Sequence, residues 1–260
     1  MQKKDKIALI TSLIVISMVF YYFLFPNRNW LGVPYLQTTK NQGFAVVELF
    51  TSEGCSSCPP ADALMAKIQK EANGKDIYFL AFHVDYWNHL NWKDSFSDAQ
   101  FTNRQQQYAD WMGQNVLYTP QFVINGASEF GGDDTRTLYN QISNALQMSP
   151  NTVLALHTQS KGDSLKVEYK TDAEIKNTDL FIATVLKEAD TKVKRGENGG
   201  RLLHHVQIVR QANSIALSKK DGHLVIAKPK DFNTKNWEII GFIQKKATGS
   251  INAASKAQLD

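Results

Sequence analysis

The chain contains 260 residues, with 29 Lys and Arg against 25 Asp and Glu and a formal net charge of +4. The basic residues are dispersed among acidic ones, with no long basic run and no interleaving of basic and aromatic residues. The charge therefore does not indicate nucleic-acid binding, and the sequence contains no internal repeat or low-complexity segment.

The first 25 residues carry the features of a membrane anchor. Residues 7–25 contain no charged side chain, and a helix of 19 residues at about 1.5 Å each nearly matches a hydrocarbon core of about 30 Å. Three lysines precede this run, which predicts a cytoplasmic N-terminus and places the rest of the chain in the periplasm or extracytoplasmic space. The run exceeds the roughly 7–15 apolar residues of a signal-peptide core, and no small-residue cleavage motif follows it. We predict an uncleaved signal anchor over residues 1–25, with a cleaved signal and a buried helix as alternatives.

Charge divides the remainder of the chain into two segments. Residues 26–149 hold 8 Lys and Arg against 12 Asp and Glu, whereas residues 150–260 hold 18 against 12. The roughly 235 residues after the anchor suit one large domain or two small ones, and the opposite net charges favour two. We predict a linker over 26–43, a first domain over 44–149 and a β-rich domain over 150–260.

The first domain is predicted to alternate strands and helices. Its two early strands are apolar and rich in β-branched and aromatic residues, and its helices begin and end at capping, Pro or Gly residues. The predicted elements are a strand at 44–51, a helix from Pro59-Pro60 to Asn73-Gly74, a strand at 77–84, a helix capped at Ser97-Asp98, a hairpin of 121–124 and 127–130 around Asn125-Gly126, and a helix between Asp133 and Pro150. The order is βαβαββα, with parallel early strands and an extended loop after the second strand.

The second domain is predicted to be all β. Short β-rich runs alternate with turn signals, which fits a sandwich. These runs are 152–159, 165–171, 180–187, 203–209, 223–227 and 237–243.

Cys55 and Cys58 are the only two cysteines, and they lie between a predicted strand and a predicted helix start. Unpaired backbone N–H groups and the helix dipole at such a turn favour a thiolate, which is the nucleophile of disulfide exchange. We expect Cys55, which precedes the helix, to be the more exposed and more acidic thiol. An inert bridge and a metal site remain alternatives, although a structural zinc needs four ligands.

This strand, Cys-x-x-Cys and helix arrangement resembles the thioredoxin-like superfamily, and the exported part resembles a bacterial family known as domain of unknown function 1223. Four motifs carry the resemblance: ELFTSEGCSSCPPADAL at 48–64, VDYWNHLNWKDSFSD at 84–98, YTPQFVING at 118–126 and GENGGRLLHHVQIVR at 196–210.

The resemblance implies a fold and a set of catalytic roles. The implied fold is an α/β thioredoxin-like domain, and the all-β sandwich-like domain predicted above follows it. Cys55 matches the attacking cysteine and Cys58 the resolving one, while Thr119-Pro120 matches a residue and cis-proline beside the disulfide. Glu48 resembles the buried carboxylate that passes a proton to the resolving thiol, although it stands one residue further from Cys55 than is usual.

Two further stretches are candidates for substrate or partner binding. The connection after the second strand carries Tyr86, Trp87 and Trp92, which form either a rim beside Cys55 or packing between the domains. A glycine-dense loop that ends at Arg201 shapes either a binding surface or a solvated turn.

These features favour an exported, membrane-anchored thiol–disulfide oxidoreductase that uses Cys55 and Cys58 and needs no cofactor or metal beyond that disulfide. Its expected partners are thiols or disulfides of exported proteins and a redox-recycling partner, with no nucleic acid. One alternative is a non-catalytic binding or assembly protein with a static disulfide, and a weaker one is a Cu(I) metallochaperone that uses two soft thiolates.

Overall fold

The computed structural model describes residues 43–72 and 74–259. The helices in this part of the chain are α1 (Cys58–Glu71), α2 (Ala99–Met112) and α3 (Thr135–Gln147). Four strands lie among them: β1 (Ala45–Thr51), β2 (Ile77–His83), β3 (Gln121–Ile124) and β4 (Ser128–Gly131). The later strands are β5 (Leu154–Lys161), β6 (Ser164–Thr171), β7 (Thr178–Lys192), β8 (Leu202–Ala216), β9 (Asp221–Ala227), β10 (Trp237–Lys245), β11 (Ile251–Lys256) and β12 (Gln258–Leu259).

The strands form two sheets. The larger sheet has the order β11-β10-β7-β8-β2-β1-β3-β4, and the smaller one has the order β12-β5-β6-β9. Strands β1 and β2 are parallel, and β1 pairs with β3 in the antiparallel sense. Strand β2 pairs with β8 through Ala81 and Ile208. The larger sheet therefore contains strands from both chain segments.

The predicted fold, a thioredoxin-like βαβαββα domain followed by a separate sandwich-like domain, is wrong. The regular structure is mostly β-sheet, and the strands of residues 44–149 continue into β8, β7, β10 and β11 instead of forming a sheet of their own. Local periodicity identifies a strand but does not specify which distant strand pairs with it. The thioredoxin-like assignment is accordingly not confirmed.

Hydrophobic packing joins the two segments. Phe82 on β2 contacts Phe181 on β7 edge to face, with 6.4 Å between ring centroids, and Phe181 stacks on Phe242 of β10 at 4.5 Å. Alternate residues of β1 belong to two different cores, one shared with α2 and the other with α1. Because side chains alternate across a strand, α1 and α2 lie on opposite faces of the sheet.

A buried ion pair lies within the core shared with α2. The Arg104 guanidinium donates to both carboxylate oxygens of Glu48, at 2.6 and 3.0 Å, and stacks 4.2 Å from the ring centroid of Phe181. It also donates to Gln244 on β10 at 3.3 Å. Arg104 thus connects α2 and β1 to strands of the C-terminal segment.

No helix among the described residues is both long and apolar enough to cross a membrane. The predicted anchor, residues 1–25, and the linker up to residue 42 lie outside the described residues.

We expect Arg104→Met to lower the free energy of unfolding by about 3–5 kcal/mol, because the Glu48 carboxylate would remain buried without its partner. Urea unfolding followed by tryptophan fluorescence measures this change. The matched control is Lys67→Met, whose ion pair with Glu71 spans 3.9 Å between side chains that are 65% and 47% exposed. The control should cost less than about 1 kcal/mol. Equal losses would contradict the structural role of Arg104.

Candidate functional site

Cys55 and Cys58 form a disulfide in the turn between β1 and α1, with their Cα atoms 5.4 Å apart. Cys58 is the first residue of α1, and its backbone N–H donates to the Cys55 carbonyl oxygen at 3.2 Å. Pro59 and Pro60 follow Cys58 and carry no backbone N–H, so the helix dipole is the feature at this end of α1 that favours negative charge.

Both cysteines are fully buried, so the expectation that Cys55 is exposed is wrong. The end of the β7–β8 hairpin, residues 188–206, extends beyond the residues that pair with β10 and β2 and contacts the cysteine turn; we call it the arm. The Asn198 side-chain amide donates to the carbonyl oxygens of Glu53 at 3.0 Å and Cys55 at 2.8 Å. The Glu197 carboxylate accepts from the Ser56 backbone N–H at 2.9 Å. These contacts hold the arm over the cysteine turn.

Three predicted site residues lie beside the disulfide. The Thr119–Pro120 peptide bond is cis, as the resemblance implied, and the Thr119 carbonyl oxygen lies 3.8 Å from Cys55 Sγ. The indole N–H of Trp87 donates to Thr119 Oγ1 at 2.8 Å. Trp87 also packs on the turn, since a Cβ atom at Gly54 would lie 3.0 Å from the Trp87 Cβ. The structure thus brings Thr119, Pro120 and Trp87 to the cysteines.

Three further predicted residues support the site through other groups. Trp92 donates its indole N–H to Glu53 Oε2 at 2.7 Å, and Arg201 donates to the Asn198 side-chain oxygen at 2.6 Å. Tyr86 donates its hydroxyl to a glutamine on α2 at 3.3 Å. The polar groups of these three side chains therefore already have partners within the chain.

Glu48 is not brought to the cysteines. Its carboxylate is taken up by Arg104 and by the Tyr108 hydroxyl, which donates at 2.5 Å. It lies on the face of β1 that packs against α2, whereas the helix that begins at Cys58 covers the opposite face.

Asp62 is a buried carboxyl on the cysteine helix that is not among the predicted site residues. It follows Cys58 by four residues, which places both on one side of α1, and it accepts from Thr51 Oγ1 at 3.1 Å. Burial raises the pKa of Asp62 to about 7, although the neighbouring His83 and Thr51 act in the opposite direction. The sequence signal was an acid within the otherwise uncharged first two turns of the helix, residues 59–66.

A buried histidine–carboxylate cluster lies at the carboxyl ends of β1 and β2. His83 Nδ1 and Asp94 Oδ2 are 2.7 Å apart, and the same oxygen accepts from the Glu53 backbone N–H at 2.9 Å. His205, from the arm, contacts His83 edge to face with 4.8 Å between ring centroids. His83 is thus a hydrogen-bonded core residue.

Burial and neighbouring charges determine the protonation of this cluster. Burial favours the neutral form of both members of the His83–Asp94 pair, but their mutual attraction prevails, so the pKa of His83 is raised and that of Asp94 lowered. Burial, followed by the negative charge of Asp94, raises the pKa of Glu53. Burial and the positive charge of His83 lower the pKa of His205 to about 3, which keeps this ring neutral. Within the described ranges, no group of three or more His, Cys, Asp and Glu residues is arranged to hold a metal ion.

Comparison with known proteins gives a family and a related fold. The family described as "Protein of unknown function (DUF1223)" matches residues 46–244. The crystal structure of a structural-genomics target from Agrobacterium tumefaciens is 28% identical, with a TM-score of 0.64 over 82% of this chain and 92% of that one. No curated protein matches the chain.

Two weaker structural similarities do not support any conclusion about fold or function. A domain of the outer membrane lipoprotein Omp28 from Porphyromonas gingivalis is 14% identical, with a TM-score of 0.29 over 43% of this chain and 89% of that one. A β-glucuronidase from Ruminococcus gnavus is 11% identical, with a TM-score of 0.23 over 42% of this chain and 15% of that one.

Asp62→Asn should become more stable relative to the natural chain as the pH rises. Between the ordinary pKa of 3.8 and the raised pKa of about 7, the folded state keeps a proton that the unfolded state releases. The natural chain, with its carboxyl group, therefore loses stability as the pH rises through this window. The Asn variant, whose amide does not titrate, does not lose this stability. Between pH 5 and pH 8 the variant should gain roughly 2–3 kcal/mol on the natural chain in urea unfolding.

The matched control for this pH dependence is Asp134→Asn at the cap of α3. The pKa of Asp134 is lowered by its hydrogen bonds to Thr137, so this carboxyl stays ionised in both states above pH 5. The control should show no pH-dependent difference. A flat difference for Asp62→Asn would mean that Asp62 does not retain its proton.

Proposed function

The chain belongs to the DUF1223 family, whose function is unknown, and we propose that it exchanges disulfides with other proteins through Cys55 and Cys58. The observation that carries this proposal is the position of the disulfide at the start of α1, one turn before the buried acid Asp62. The first feature stabilises the thiolate, and the second supplies a proton-transfer group that titrates near neutral pH.

The exchange proceeds in two balanced steps. A thiolate of the partner protein attacks Cys55 Sγ, the bond to Cys58 breaks, and Cys58 leaves with the electron pair and takes a proton from Asp62. A second thiolate of the partner then attacks the partner's own sulfur in the mixed disulfide and releases Cys55 as a thiolate. The partner loses two electrons and the cysteine pair gains them. The reverse sequence reduces a partner disulfide.

Release of the tip of the arm, at Glu197 and Asn198, precedes exchange. Neither sulfur is accessible while Asn198 and Glu197 hold the arm on the turn. A partner therefore competes with these contacts for the backbone of the cysteine turn.

We place this activity outside the cytoplasm. The uncharged run at residues 7–25 and the lysines before it support an anchor with the remaining chain on the extracytoplasmic side. A cysteine pair that turns over outside the cytoplasm needs a redox partner that restores its original oxidation state.

A second candidate function is a non-catalytic binding or assembly protein with a static disulfide. The complete burial of both cysteines favours this alternative. It differs from the exchange proposal in the stability of the disulfide toward reduction, because structural bridges are more resistant than catalytic ones.

We expect the Cys55–Cys58 pair to have a reduction potential between about −120 and −270 mV, the range of proteins that exchange disulfides. The measurement is a titration of the full chain in detergent with glutathione redox buffers, and with dithiothreitol buffers at lower potentials, followed by alkylation and mass analysis. A Cys55→Ser, Cys58→Ser double variant is the control, because it removes the only two cysteines and should show no redox-dependent mass shift. A potential below about −300 mV would favour the static bridge.

A further inference from the structure

A groove runs between helix α1 and the arm. It has a volume of about 600 Å³, and its walls are formed by residues from Pro59 to Glu71 on α1 and from Arg201 to His205 on the arm. The helix wall spans roughly 18 Å, since each helical residue advances about 1.5 Å. An extended chain of about five residues matches this length at roughly 3.3 Å per residue. The groove begins at Pro59, directly after Cys58.

The arm presents the edge of a strand to this groove. Four consecutive residues of β8, Leu202 to His205, line the groove. Consecutive side chains point to opposite faces of a strand, so a groove on one face would be lined by every second residue only. The groove therefore lies along the edge of β8. On one side these residues pair with β7, and on the other the described pairing of β8 with β2 is limited to Ala81 and Ile208. An unpaired strand edge is a template for an added strand.

Two buried polar side chains also line the groove. His205 is 1% exposed, and neither of its ring nitrogens has a hydrogen-bond partner among the described residues. Asp62 is 5% exposed. Among the described residues, the hydrogen bond to its carboxyl group is the one that Oδ2 accepts from Thr51. A neutral imidazole offers one donor and one acceptor, and a buried group of this kind is normally hydrogen-bonded. The groove therefore suits a ligand with polar groups.

The rim of the groove is positively charged. Lys67, Lys70 and Arg201 line it, and its acidic residues are Glu71 at the rim and the buried Asp62. Glu71 lies 3.9 Å from Lys67, so it offsets one of the three cations. Leu202, 70% exposed, adds an apolar contact at the arm side. This charge pattern is complementary to an acidic segment.

We propose that the groove binds an extended acidic segment of the partner protein, which adds as a strand to the free edge of β8 and tethers the partner's cysteine close to the cysteine turn, within reach of Cys55. This inference rests on the proposed exchange function and names its substrate class. Backbone pairing with β8 provides affinity, and the lysines select acidic side chains. The partner is a protein with Asp or Glu residues beside its reactive cysteine.

Binding is tested with fluorescent eight-residue peptides in which Ser replaces the cysteine, so that no exchange occurs. One peptide alternates Glu and Thr, a second has Gln for Glu, a third has Lys for Glu, and a fourth is the acidic peptide with alternate backbone nitrogens methylated. Fluorescence anisotropy with the full chain in nonionic detergent should show that the acidic peptide binds about ten-fold tighter than the Gln peptide. The Lys peptide and the methylated peptide should bind more weakly still.

Variants separate the charge contribution from general effects. Lys67→Gln with Lys70→Gln should reduce the preference for the acidic peptide to about two-fold. Lys161→Gln with Lys220→Gln, at exposed sites outside the groove, should leave the preference unchanged. Equal binding of the acidic and Gln peptides, or unchanged binding after backbone methylation, would overturn the proposal.

Peptides that contain the cysteine distinguish the two proposals. If the chain exchanges with dithiothreitol but does not discriminate among the peptides, the exchange proposal stands and the proposal of an acidic-peptide groove is wrong. If the chain binds the acidic Ser peptide but forms no mixed disulfide with the corresponding cysteine peptide, the groove proposal stands and the exchange proposal is wrong.

Discussion

The side-chain amide of Asn198 is the contact on which the site depends. It is fully buried, donates to the carbonyl oxygens of Glu53 and Cys55, and accepts from Arg201 through its own oxygen. An amide with both its donor and acceptor ends satisfied inside the protein fixes the groups around it in one arrangement. Because Asn198 comes from the C-terminal segment and Cys55 from the N-terminal one, neither segment builds the site alone.

The arm also determines the electrostatics beneath the disulfide. His205 enters the histidine–carboxylate cluster from the arm, and its Nε2 lies 3.7 Å from Glu53 Oε1. Its neutral ring helps to exclude water from the His83–Asp94 pair, and Asp62 lies close enough to sense the charge of His83. Displacement of the arm would admit water, reduce the effect of burial and lower the pKa of Asp62. Access to the disulfide and protonation of the neighbouring acid are thus coupled through one segment.

Local signals were sufficient for part of this site, and long-range pairing decided the rest. The spacing of Cys55 and Cys58 before a helix is a property of neighbouring residues, and the structure joins them there. Asn198 acts on Cys55 across 143 residues, through a hairpin whose position depends on the pairing of β8 with β2. No local pattern specifies that pairing, so the burial of Cys55 was unforeseen. The wrong placement of Glu48 beside the cysteines has the same cause. Its partner Arg104 lies 56 residues away, so the residues near Glu48 do not specify the contact.

If the arm controls access to the disulfide, dithiothreitol should reduce Asn198→Ala faster than it reduces the natural chain. Loss of two hydrogen bonds of about 0.5–1.5 kcal/mol each should raise the open population, and with it the rate, by about 10- to 100-fold. Asn144→Ala, at an exposed position on α3, should be reduced at the natural rate. An Asn198→Ala chain that is folded and reduces no faster than the natural chain would contradict the account.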